Sequence, residues 1–270
     1  MIEFKKVASV SGYQTITPPT SPYVPPSAAV IFPTIVALIK VALDQPLKCT
    51  PPCTSPELLE ISISVNIGEV FVATGDKEIF DEVTKAGGNC ILTKKNHQTG
   101  TDRIYEAYEQ LDLKNIDYII NLQGDEPIIG IDDVRNLNKN AIINKSNIAT
   151  LACEIIDKNK LNKKNIVKVY TDKQLSSKNI SKAITFSREN LSNYKSNIYH
   201  HIGIYIYKVS ILKKFVNLKQ SENEVDQKLE QLRAIENKIN IDVILANNSP
   251  IGVDTEEDFV ELKKIMNYKN

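Results

Sequence analysis

Net charge is what this chain lacks: 33 lysines and arginines face 33 aspartates and glutamates. No global field steers it toward nucleic acid or an anionic membrane, so anion binding has to be local. Arginine is nearly absent. Only Arg103, Arg135, Arg188 and Arg233 occur, and every other base is lysine. Where lysine serves solubility, an arginine is kept for two-pronged contact with phosphate or carboxylate. Histidine is as scarce, at His97, His200 and His201. Cys49, Cys53, Cys90 and Cys153 are too few and too scattered for a disulfide framework. Nothing nearby completes a metal clip at Cys49 and Cys53, so reduced thiols in a cytoplasmic protein are expected. A membrane span is missing as well. The one long apolar stretch, Ala28 to Leu47, is interrupted by Pro33, Lys40 and Asp44, and it lies too far along the chain for an ordinary signal peptide.

Proline is scarce except at one end. Ten of the 12 prolines fall within residues 1–66, from Pro18 to Pro56, a density that argues against long helices and interior strands. Residues 1–27 are expected to form a disordered leader and 28–66 an atypical segment. A regular domain is expected over 67–270. The 270 residues, 42% of them hydrophobic, suffice for one large α/β domain or two small ones, with a sizeable core.

From Val65 onward apolar runs alternate with helical patterns. Val70 to Thr74 reads as a buried strand, and Asp76 caps a helix that runs to Ala86 and ends at Gly87-Gly88. Cys90 to Leu92 is the next strand. A helix begins near Thr101, with Ile104, Tyr105, Tyr108 and Leu111 at helical spacing. Tyr118 to Leu122 is a strand, and Asp132 or Asp133 opens another helix. Such alternation predicts a parallel sheet covered on both faces. Further on, Ile148–Cys153, Ile166–Tyr170, Ala183–Phe186, Ile202–Tyr207 and Ile241–Leu245 read as strands. Glu224 to Glu236 reads as one helix with a stripe of Val225, Leu229, Leu232 and Ile235. Thr255 with Asp258 resembles a capping box on a final helix.

Candidate chemistry lies where rare residues meet element ends. The strand Tyr118–Leu122 stops at Gln123-Gly124-Asp125-Glu126-Pro127, and in open parallel sheets ligands sit beyond such strand ends. Paired acids there suit a hard cation such as Mg²⁺, although a solvated turn uses the same residues. The turn His97-Gln98-Thr99-Gly100-Thr101-Asp102-Arg103 feeds a helix start, a place that attracts anions, or it is simply a capped helix with an exposed arginine. Phe186-Ser187-Arg188 ends a strand. His200 and His201 enter one. Glu230 and Arg233, three apart on the expected helix, can pair on its surface for a few tenths of a kcal/mol. Asp254 stands at a helix start, where caps are common.

The segments NLQGDEP, HQTGTDR, FSR, HHIGIYIY, LEQLR and GVDTEED, in this order and spacing, resemble the 3-deoxy-manno-octulosonate (Kdo) cytidylyltransferases from about Val70 to Met266. That resemblance implies a three-layer α/β/α, Rossmann-like nucleotidyltransferase domain with a mostly parallel central sheet and a small dimerisation subregion, working as a cytoplasmic homodimer. It implies that CTP and Kdo give CMP-Kdo and diphosphate with Mg²⁺, for lipopolysaccharide assembly, and that neither nucleic acid nor membrane is a partner. By position, Asp125 and Asp254 hold the metal, and Gln123 contacts the sugar acid. Arg188, His201 and Glu230 line its pocket, with Arg188 matched to the carboxylate. Thr99, Gly100 and Arg103 serve the cytidine and phosphate side, Thr99 standing where the family usually has serine.

The resemblance breaks near the start. The family opens with a loop of the type PARxxSTRLPxKPL around the triphosphate, whereas this chain has IFPTIVALIK and then Pro46-Leu47, with Lys40 and Lys48 as the only bases. The right length with the wrong content suggests a reading-frame disturbance later restored. Translating the DNA in all frames tests this, and no frame encoding a basic loop would refute it. Two readings of function follow: a CMP-Kdo synthetase, and a noncatalytic relative with a damaged CTP-binding region. A cytidylyltransferase for another sugar acid, such as a sialic acid, is disfavoured by HHIGIYIY and LEQLR.

Overall fold

The computed structural model describes residues 67–113, 116–123, 129–177, 179–191 and 197–247, together with the backbone of 34–39. The leader, Asp125, Asp254 and the capping box at Thr255 lie outside the described residues.

The first half builds a parallel sheet. Strands β1 (Thr34–Ile39), β2 (Gly68–Thr74), β3 (Cys90–Leu92) and β4 (Tyr118–Gln123) stand in the order β3-β2-β1-β4, every pairing parallel. Helix α1 (Lys77–Lys85) starts at Asp76, whose carboxylate accepts the Glu78 N–H at 2.8 Å, and it stops at Gly87, with φ of 82°. Helix α2 (Gly100–Leu111) starts at Thr99, whose Oγ1 accepts the Asp102 N–H at 3.2 Å.

The interior place of β1 corrects one expectation. Thr34–Ile39 lies between β2 and β4, with Thr34 opposite both Gly68 and Tyr118. Proline density over 66 residues argued against an interior strand there. The six residues TIVALI contain no proline and are rich in β-favouring types, and that local content prevails.

The second half is mixed. After α3 (Ile131–Ile143) come β5 (Ile148–Cys153), a 3₁₀ turn (Lys158–Asn162), β6 (Lys168–Thr171), β7 (Ser181–Ser187) and β8 (Asn197–Lys208). Then follow α4 (Val209–Val216), α5 (Glu222–Gln227), α6 (Gln231–Glu236) and β9 (Ile241–Leu245). β8 is antiparallel to β4, β5 and β6. β5 is parallel to β9, which pairs with β7, which pairs with β6. Since β6 also meets β8, the strands β8-β5-β9-β7-β6 close on themselves.

Alternate residues of the strands feed two cores, one on each face. Val72, Ile120, Leu122, Leu151, Ile204 and Ile206 pack with Val83 of α1 and Val134 and Leu137 of α3. Ile119, Val169, Phe186, Tyr205 and Tyr207 pack with Ile104 of α2, Leu212 and Phe215 of α4 and Leu232 of α6. This three-layer arrangement agrees with the α/β expectation.

The expected helix Glu224–Glu236 is two helices. Lys228 adopts a left-handed conformation (φ 53°), ending α5, and α6 begins three residues later. Val225, placed on the expected apolar stripe, is 56% exposed. The break has a tertiary cause. Arg233 donates through Nε to Glu224 Oε2 at 2.8 Å and through Nη2 to Oε1, both side chains being buried, and the Leu229 N–H bonds back to the Glu224 carbonyl. The expected surface pairing of Glu230 with Arg233 is thereby overturned: the partner of Arg233 is Glu224, nine residues away.

Candidate functional site

One sheet face gathers His201 with several polar residues of the neighbouring strands. Asn121 and Gln123 share one face at the end of β4, and Tyr205 of β8 stands opposite Asn121. Thr150 of β5 stands opposite Tyr205, and Ala152 opposite His201. Phe186 of β7 meets the His201 ring edge-on, centroids 5.1 Å apart, and the Tyr205 ring lies 5.4 Å away on another side. The first turn of α2 and the start of α6 cover this face.

Each expected site residue among the described ones has a definite surrounding. Gln123 is half-buried at the tip of β4. Thr99 caps α2 and donates its hydroxyl to Asp102 Oδ2 at 2.8 Å. Gly100 faces β4, where a Cβ would lie in ordinary contact with Asn121 Nδ2, at 4.0 Å. His201 is buried, and burial pulls its pKa down to about 3, with neighbouring His200 adding to the fall. A neutral ring at physiological pH is a hydrogen-bonding group, not a proton shuttle. His200, also desolvated, is lowered to about 4.

Glu230 is the most perturbed acid. Desolvation pushes its pKa up to about 7, opposed by the Thr101 hydroxyl and the Arg233 guanidinium and reinforced by Asp102 and Glu224. Its Oε1 is sealed from solvent and has no hydrogen-bond partner. The structure therefore brings Glu230 to the first turn of α2, uniting two segments that lie 129 positions apart in sequence (230 − 101).

The two arginines are differently placed. Arg188 donates from Nε to the Gln227 carbonyl at 2.9 Å and from Nη1 to the Lys164 carbonyl at 3.3 Å, which sets it beside the turn leading to Glu230. Arg103 is buried and braces the loop after β3. It donates to Thr93 Oγ1 at 2.6 Å and to the carbonyls of Lys94 and Lys95 at 3.0 and 3.3 Å. Its described contacts are those of a scaffold residue.

Sequence reasoning missed three residues. Asn121 is 1% exposed, and neither its Nδ2 nor its Oδ1 finds a partner, which is costly for a buried amide. Thr150 is fully buried against His201. Lys168 is fully buried, donating to the carbonyls of Lys163, Ile166 and Arg188; desolvation and the nearby Arg188 lower its pKa. The available signal was polarity inside apolar strand runs, at positions flanked by Ala, Ile, Leu and Val.

Among the described residues no cluster of His, Cys, Asp or Glu could hold a metal ion. β4 and β9 run in the same direction, each antiparallel or parallel to its neighbours through β8 and β5. The C-terminal ends of β4 and β9 thus lie at the same end of the sheet, with strand axes roughly 14 Å apart by ordinary spacing. Just past β9, the N–H and Nδ2 of Asn247 both donate to buried Asp133 Oδ1, at 2.9 and 2.8 Å, and tie that exit to the start of α3.

The cytidylyltransferase family model matches residues 59–241. The 3-deoxy-manno-octulosonate cytidylyltransferase of Bartonella henselae is 38% identical over 200 residues, 74% of this chain and 82% of that protein. Its counterpart in Brucella melitensis is 36% identical over 210 residues, 76% of this chain and 83% of that protein. A solved structure of CMP:2-keto-3-deoxy-manno-octonic acid synthetase complexed with CTP matches with a TM-score of 0.75 at 29% identity, covering 87% of this chain and 98% of that one. The chain belongs to the cytidylyltransferase family.

Proposed function

We propose that this chain transfers CMP from CTP to the anomeric hydroxyl of Kdo, releasing diphosphate and supplying CMP-Kdo for lipopolysaccharide assembly. The observation that carries this reading is the convergence of Gln123, His201 and Glu230 on one sheet face beneath the start of α2, in a chain whose relatives bear the name 3-deoxy-manno-octulosonate cytidylyltransferase. The noncatalytic alternative is not favoured by these comparisons.

In this reading the sugar acid lies over β4 and β8. Gln123 and His201 hydrogen-bond its hydroxyls, and Arg188 meets its carboxylate with the guanidinium face left beside its two carbonyl contacts. Glu230, balanced near neutrality, takes up a proton when an anionic sugar approaches and so avoids repelling it. The turn Thr99–Gly100 at the start of α2 faces the nucleotide. A helix N-terminus suits phosphate there, while Arg103 keeps the turn in shape from behind.

Asp125 and Asp254 are the residues that would hold Mg²⁺, which supplies charge neutralisation between the triphosphate and the attacking sugar oxygen. The remaining demand on the protein is alignment, since phosphoryl-type transfer needs positioning more than covalent help. A homodimer in the cytoplasm, binding neither nucleic acid nor membrane, completes the reading. No helix among the described residues is long and apolar enough to cross a membrane.

Diphosphate release from CTP, Kdo and Mg²⁺ is the deciding assay, with sialic acid as competitor. Turnover that depends on Kdo and disappears in Asp125→Asn, whose thermal unfolding matches the parent, is the expected result. Absence of release above background would return the chain to a noncatalytic role.

A further inference from the structure

Thr150 and His201 form a small device that the assigned roles leave unexplained. Between the pairs Thr150–Tyr205 and Leu151–Ile202, β8 carries two residues more than β5, and the Thr150 hydroxyl fills the resulting bulge. Its Oγ1 lies 2.7 Å from the Ile204 carbonyl, 3.2 Å from the Ile202 carbonyl and 3.0 Å from His201 Nε2. Bulges beside functional sites commonly re-aim a side chain.

The hydrogens can be placed by counting. A threonine hydroxyl gives one proton and accepts through its oxygen. Two carbonyls, which can only accept, compete for that proton, and the shorter contact, to Ile204, takes it. Oγ1 then faces His201 as an acceptor, so Nε2 has to bring the hydrogen. In a neutral imidazole the other nitrogen, Nδ1, is then a bare acceptor. Phe186 and Tyr205 pack against the ring and oppose its rotation, and no hydrogen bond to Nδ1 occurs among the described residues. His201 keeps 8% of its surface open.

We propose that Thr150 is a positioning residue: it locks His201 in the Nε2-protonated tautomer, so that Nδ1 accepts a hydrogen bond from a hydroxyl group of the sugar-acid substrate. This rests on the sugar-acid reading given above and sharpens it. An acceptor nitrogen welcomes an O–H and repels a carboxylate, so His201 reads the polyol part of the sugar and leaves its acid to a cation. The desolvation that holds the imidazole neutral keeps this polarity constant across physiological pH.

Nitrogen-resolved NMR of the histidine-labelled full chain tests the lock directly, with only three histidines to assign. The His201 signal is expected to show Nε2 protonated and Nδ1 bare from pH 5 to 8; the opposite tautomer in the parent protein overturns the proposal whether or not any variant folds. In Thr150→Val, which keeps the shape without the hydroxyl, the tautomers should mix. KM for Kdo should then rise roughly tenfold, about the worth of one hydrogen bond, while KM for CTP stays put. Thr150→Ser should restore both readouts. A folded Thr150→Val with the parent's KM for Kdo sinks the lock alone, provided His201→Phe does raise it. If His201→Phe leaves KM for Kdo unchanged, the sugar-acid placement of His201 falls, and this proposal with it.

Discussion

Replacing Arg233 by methionine isolates the interaction that breaks the expected helix and shapes the Glu230 turn. Arg233 gives two charge-assisted hydrogen bonds to Glu224, with both side chains 3% exposed. Its guanidinium lies 4.7 Å from the centre of the Phe215 ring. Glu224 is also held by the Ser221 N–H at 3.2 Å within the capping box of α5. Methionine keeps much of the apolar stem but leaves a buried carboxylate without its cation. Breaking a buried pair from one side costs about 3–5 kcal/mol. The expected loss is therefore about 3–5 kcal/mol, on the order of 10 °C in Tm. Denaturant unfolding at pH 7 measures it. The double variant Glu224→Gln/Arg233→Met, with neither charge, should recover most of the loss. A single-variant loss below about 1 kcal/mol at pH 7, or a double variant no better than the single, refutes the argument.

Three further outcomes follow from single sites. Glu230 binds its proton more tightly folded (pKa about 7) than unfolded, so it lowers stability as pH rises from about 4.5 to 7; Glu230→Gln should match the parent near pH 4.5 and exceed it by on the order of 3 kcal/mol above pH 7. Equal Tm for the two proteins at pH 8 would show the acid to be solvated after all. A Cβ at Gly75 would sit 2.7 Å from Arg103 Nη1 and 2.8 Å from Lys95 Cα, so Gly75→Ala should cost about 1–3 kcal/mol through overpacking, read by thermal unfolding; an unaltered Tm contradicts that close approach. Asn121→Leu removes an amide with no partner on either atom and should raise stability by about 1 kcal/mol, whereas a fall in Tm would reveal a satisfied group.

What could be read from the sequence was whatever depends on short range. The run from β2 to β4 was legible because buried parallel strands read as unbroken apolar segments, and because the caps at Asp76 and Thr99 and the stop at Gly87 are set by neighbours two or three residues away. β1 was missed because proline was counted over 66 residues when the relevant window was six. The split between α5 and α6 was illegible for a different reason: Val225, Leu229, Leu232 and Ile235 suit a single helix, and only the pull of Arg233 on a glutamate nine residues back favours two. The site shows the same division. Scarcity of type pointed to Arg188 and His201, the family resemblance alone pointed to Gln123 and Glu230, and the sheet gathers Gln123, His201 and Glu230 over one face. Neither signal could point to Thr150, a common residue in an apolar strand, whose importance exists only because β8 returns antiparallel and bulges at that register. Rare residues thus mark where chemistry is attempted, while the ordinary residue across the ladder decides which lone pair of His201 faces the substrate. That division explains why a change as slight as threonine to valine is the sharper test of this site.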